Sequence, residues 1–113
     1  MAEAPDAETA WRWLLERRPG TRGHYGGEEL FAIAAAAHAE PRLRVLYPFP
    51  SHGTLKLLRS GPPFDGTHRD DLPYVICDGP PYKVNAIHRG LLGEAATPRE
   101  AAALVVAHLP PDV

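Results

Sequence analysis

Three side chains in the middle of the chain could take part in acid–base chemistry. Ser51 and His52 are adjacent in "YPFPSHGTLKLLRS", and Asp70 follows in "THRDD". A serine nucleophile needs a base within hydrogen-bond reach and an acid that orients this base. Adjacent residues of an extended chain point to opposite sides, so Ser51 and His52 cannot easily serve each other. If the protein is an enzyme, we expect His52 as the acid or base, Ser51 as a hydrogen-bond partner and Asp70 or Asp71 as the orienting group.

The same stretch also fits a structural role. Two prolines and two aromatic residues lead into Ser51-His52-Gly53, and no G-x-S-x-G motif is present. In this interpretation the Ser51 hydroxyl bonds back to the turn, and His52 bonds a backbone carbonyl. Gly53 then supplies a backbone conformation that other residues avoid. The sequence favours this shaped corner over a Ser-His pair.

Aromatic and cationic residues surround the corner. Lys56 lies between Leu55 and Leu57 in an alternating segment, so we expect it on the opposite face of a strand. Together with His52, the nearby cations could line an anion-binding groove, although spaced cations are also typical of a solvated surface. A concave aromatic patch would suit a small ligand. The predicted ligand-binding residues are Tyr47, Phe49, Lys56, Arg59 and His68.

The histidines and the single cysteine do not form a recognisable metal or redox motif. His68 with Asp70 or Asp71 could supply two or three ligands, but the other histidines have no fixed spacing and no H-E-x-x-H motif occurs. Cys77 lies in the apolar "YVICD" with no basic neighbour to lower its pKa, so we expect it to pack as a small hydrophobic residue. We predict neither a metal nor another cofactor.

Length and charge limit the class of protein. A chain of 113 residues fits one domain, residues 1–113, which buries roughly two-thirds of the surface of its unfolded chain. The net charge of −2 gives no field that would hold a polyanion, so we expect no nucleic-acid partner. No signal peptide and no apolar run of about 20 residues is evident, which predicts no membrane association. With one cysteine, these features favour a cytoplasmic protein.

Three helices are indicated by their start and stop signals. Asp6 can cap a helix over "AETAWRWLLERR", which ends before Pro19. Two glutamates and an alanine run predict a second helix in "EELFAIAAAAHAEP", limited by Pro41. The capping box from Thr97 to Glu100, with proline at the first helical position, predicts a C-terminal helix.

Extended segments lie between the second and the last helix. "RLRVLYPF" alternates through Leu43, Val45 and Tyr47 and favours a strand or an extended approach, and "TLKLLRS" predicts a strand from Thr54 to Arg59. "LPYVICD" and "YKVNAIH" predict a hairpin, to which "GLLGEA" can add a short strand. We predict an α+β fold with an antiparallel sheet of three to four strands, helices on one face and the order α-α-β-β-β-α.

Several segments together are similar to those of a known family. They are "PRLRVLYPFPSHGTLKLLRS", "DDLPYV", "YKV" and "GEAATPREAAALVVAHLPPDV", which cover about residues 41–111. In their order and spacing they resemble an actinobacterial family of unknown function whose members carry the label "natural product biosynthesis protein". The usual arginine-cysteine pair is Arg59-Ser60 here. The resemblance implies a bacterial protein of secondary metabolism, and it implies no reaction and no catalytic residues.

These observations lead to three hypotheses from different classes. The leading one is a small cytoplasmic accessory or binding protein of a natural-product pathway, which recognises a small-molecule metabolite or a biosynthetic enzyme. The second is a compact cyclase, isomerase or hydrolase that uses His52 as acid or base. The third is an immunity or protein-interaction module. Whether the protein is an enzyme stays open at this point, as does its oligomeric state.

Overall fold

The computed structural model describes residues 6–16, 27–51, 53–59, 71–87, 89–111 and 113. Within these ranges the chain forms four helices and five strands. The helices are α1 (Ala7–Leu15), α2 (Gly27–His38), α3 (Pro41–Arg44) and α4 (Pro98–Ala107). The strands are β1 (Tyr47–Ser51), β2 (Thr54–Leu58), β3 (Tyr74–Ile76), β4 (Tyr82–Ala86) and β5 (Gly90–Ala95).

The five strands form one antiparallel sheet in chain order, β1-β2-β3-β4-β5. Every strand therefore pairs with its neighbour in sequence. The α+β fold with an antiparallel sheet is confirmed. The sheet has five strands instead of the predicted three to four, and a third helix, α3, precedes it, so the predicted order α-α-β-β-β-α is wrong in these two respects. The segment "GLLGEA", predicted as a possible additional short strand, forms β5.

Side-chain caps fix the starts of the first and last helices. The Asp6 carboxylate accepts a hydrogen bond from the Thr9 backbone N–H at 2.8 Å. At α4, the Thr97 hydroxyl accepts from the Glu100 N–H at 3.1 Å, while the Glu100 carboxylate accepts from the Ala96 N–H at 3.1 Å. This reciprocal pair is the predicted capping box. Both predicted helix starts are confirmed.

The segment after Pro41 differs from the prediction. Instead of an extended approach, Pro41–Arg44 forms the short helix α3, and β1 begins only at Tyr47. Proline occupies the first turn, where its fixed φ suits a helix and its missing N–H is not needed. Leu43 is fully buried and Val45 is 69% exposed, so their alternation does not correspond to a strand face.

The core lies between the helices and one face of the sheet. Helix α2 packs on α4 and on β2, and α4 crosses β3, β4 and β5. Gly93 lets α4 approach closely, since a Cβ there would lie 3.3 Å from both δ carbons of Leu104.

The fully buried Trp11 donates its indole N–H to the Leu46 carbonyl at 2.9 Å, which fixes α1 to the start of β1. On α1, Ala10, Trp11 and Leu14 are buried on one side of the helix.

The strands alternate between this core and an opposite surface, which we call the outer face. Inward residues such as Leu55, Val75 and Val84 are buried. Their neighbours Lys56 and Tyr74 point to the outer face and are only partly buried. The burial alternation places α2 and α4 on the inner face. None of the described helices is long and apolar enough to cross a membrane.

Candidate functional site

The Ser51–Gly53 corner is a tight hairpin turn between β1 and β2. Ser51 pairs with Thr54, so that only His52 and Gly53 connect the two strands. Gly53 has φ +79°, a conformation that glycine adopts without steric cost. Its carbonyl accepts a hydrogen bond from the Cys77 N–H at 2.8 Å, which ties the corner to the chain just after β3. The predicted backbone role of Gly53 is confirmed.

Three of the predicted site residues lie outside the described residues. These are His52, His68 and Asp70. For Ser51 the backbone is described, at the end of β1, but not the side chain. The assignment of His52 as acid or base, with Ser51 and Asp70 as partners, therefore stays a prediction.

The structure brings three of the predicted ligand-binding residues together on the outer face. Phe49 pairs with Lys56 across β1 and β2, and Tyr47 is two residues before Phe49 on the same side of its strand. Lys56 lies between the buried Leu55 and Leu57, as predicted from the alternation. All three outward residues are partly buried. The sequence therefore identified one edge of a continuous surface.

Tyr74 is the central residue of this surface, and the sequence analysis missed it. Thr54 pairs with Ile76 and Leu55 with Val75. The same register places Lys56 beside Tyr74. The Lys56 ammonium lies 5.6 Å from the centroid of the Tyr74 ring, within the range of a cation–π interaction. Alternation within "PYVIC" was the available signal, since it places Tyr74 and Ile76 on one face.

The outer face continues across β4 and β5. Asn85 lies opposite Tyr74, and Lys83 lies opposite Ile76 and next to Glu94. The Asn85 Oδ1 atom is buried and has no hydrogen-bond partner among the described residues. Leu91 follows on β5 and is 56% exposed. We call a set of these outward residues the candidate binding face, or binding face for short: Tyr47, Phe49, Lys56, Tyr74, Ile76, Lys83, Asn85, Leu91 and Glu94.

Arg59, another predicted ligand-binding residue, forms an ion pair. It follows β2, and its guanidinium donates to both carboxylate oxygens of Asp71 at 2.9 Å each. The two side chains are only 20% and 27% exposed. Such a bidentate pair fixes both groups strongly. Arg59 thus anchors the residue that precedes β3, and Asp71 is engaged in this ion pair.

Two other reactive side chains are held in their protonated forms. Burial raises the pKa of the Tyr47 phenol above its ordinary value of 10.0, and the negative charge of Asp6 raises it further. Burial likewise raises the pKa of the Cys77 thiol to about 12. Cys77 is 1% exposed, as predicted for a small packed residue. Neither group can supply an anion at neutral pH.

A shallow cavity of about 370 Å³ lies elsewhere, between α1 and α2. The indole of Trp11 contacts the imidazole of His38 beside it, with ring centroids 5.4 Å apart. Its wall carries both signs of charge and contains none of the predicted site residues. The lining residues are Glu8, Arg12, Leu15, Glu16 and His38.

Within the part of the chain that the structure describes, no group of three or more His, Cys, Asp or Glu side chains is placed to hold a metal ion. No curated protein and no solved structure matches this chain. A family match covers residues 7–113 and thus includes the N-terminal helices, which lay outside the resemblance seen in the sequence. The chain belongs to DUF6193, a family of unknown function.

Proposed function

We propose that this protein is a small cytoplasmic accessory protein of a bacterial natural-product pathway, and that it binds an enzyme of that pathway through the binding face. The observation that carries the proposal is the row of outward side chains on the face of the sheet opposite α2 and α4. Aromatic and aliphatic side chains, most of them partly buried, form a continuous surface there. The pathway assignment derives from the family resemblance of residues 41–111, including its actinobacterial label.

The shape of this surface favours a macromolecular partner over a metabolite. Five strands at a spacing of about 4.8 Å give a sheet roughly 20 Å wide. Small-molecule sites are instead concave and enclose most of the ligand. Tyrosine and phenylalanine are enriched at protein interfaces because they bury large areas with few rotatable bonds. Tyr47, Phe49 and Tyr74 are of this kind.

The edges of the sheet are poorly suited to bind a partner by strand addition. The Cys77 N–H bonds to the Gly53 carbonyl, so the backbone groups of Gly53 point toward β3. Because backbone groups alternate in direction along a strand, the backbone nitrogens of Pro48 and Pro50 in β1 point away from β2, toward the edge of the sheet. Proline has no N–H to offer an added strand. At the other edge, the β5 register is shifted opposite Val84 and Asn85, and the Ala96 N–H is bonded to Glu100. A partner therefore contacts the side chains of the face.

Among the described residues, no contact favours the enzyme hypothesis over binding. The enzyme hypothesis depends on His52 and Asp70, and the nearby Asp71 is bound by Arg59. Replacement of His52 by Ala separates the two hypotheses. An accessory protein retains its effect on product formation, whereas an enzyme loses it with an unchanged melting temperature.

The decisive experiment uses each enzyme encoded beside this gene, purified and mixed with the protein. We expect one of them to form a complex in analytical ultracentrifugation, and Tyr74→Glu to abolish it. Ala103→Glu is the matched control, since Ala103 is exposed on α4, opposite the core. Both variants should keep the wild-type circular dichroism spectrum. The proposal is wrong if no pathway enzyme binds, or if only a pathway metabolite binds in the same series by calorimetry.

A further inference from the structure

We draw no further inference here: the strongest candidate, the shallow cavity between α1 and α2 beside His38, is walled on the α1 side by the exposed charged side chains of Glu8, Arg12 and Glu16, and nothing among the described residues shows what would occupy it.

Discussion

The guanidinium of Arg59 donates two parallel hydrogen bonds, each 2.9 Å long, to the two carboxylate oxygens of Asp71. The pair joins the end of β2 to the chain just before β3, across twelve residues of sequence. Because both side chains are less than one-third exposed, solvent screens them only partly. A double-mutant cycle with Arg59→Ala and Asp71→Ala should give a coupling free energy of about 1 kcal/mol in urea denaturation.

The control for this cycle is Arg99→Ala, which removes an exposed guanidinium from α4. We expect that variant to change the free energy of unfolding by less than about 0.5 kcal/mol. A coupling energy near zero for the Arg59–Asp71 cycle would show that the pair does not stabilise the connection between β2 and β3.

Replacement of Trp11 separates its hydrogen bond from its packing. Trp11→Phe keeps an aromatic ring but leaves the buried Leu46 carbonyl without its donor, at a cost of about 1–3 kcal/mol. Trp11→Ala also leaves a cavity in the core, and we expect a total loss of about 3–5 kcal/mol. Chemical denaturation followed by circular dichroism measures both. Equal losses for the two variants would contradict a separate contribution of the indole N–H.

The turn at Gly53 gives a prediction about backbone conformation. At φ +79°, an L-residue with a Cβ is strained, so Gly53→Ala should lower the free energy of unfolding by about 1–2 kcal/mol. Gly53→Asn should cost less, because asparagine tolerates the left-handed region better. Thermal melts of the three proteins provide the comparison. An alanine variant as stable as the wild type would mean that the turn relaxes to another conformation.

Cys77 makes the stability depend on pH in the alkaline range. The thiol has a pKa of about 12 in the folded protein and 9.0 as its ordinary value, so the unfolded chain loses its proton first. Its contribution to stability is therefore fully present below pH 9 and is lost as the pH rises from 9 to about 12. Cys77→Ala should reduce this slope in urea denaturation at pH 8 to 10.5. Identical slopes in the variant and the wild type would exclude the thiol as the cause.

Cap residues and alternation predicted much of the fold, because these signals are local. Asp6 and Thr97 marked two helix starts, and the position of Lys56 between buried leucines identified its face. Contacts between distant residues could not be predicted in this way. The pairing of Arg59 with Asp71 depends on how β2 and β3 align, and so does the position of Tyr74 beside Lys56.

The glycines of β5 show a second reason why local sequence signals do not predict the whole structure. Gly90 has φ +73° at the turn after β4, and Gly93 makes room for Leu104 of α4. Gly93 is favoured by a neighbour in space and Gly90 by its own backbone conformation, and both lower the strand propensity that sequence patterns measure. The sequence pattern did not predict α3, because Leu43, Val45 and Tyr47 alternate as the residues of a strand do. The proline that starts this segment was the signal for a helix start.

The burial of Cys77 also has a practical consequence for mapping the binding face. The chain contains one cysteine, and its sulfur lies within the core, where a maleimide reagent cannot reach it. A cysteine placed at Lys83 or at Ala103 would thus be the single site of labelling in the folded protein. A spin label or a photo-crosslinker can be attached to either side of the sheet without first removing a native thiol, and the partner's position can be read from which label it meets.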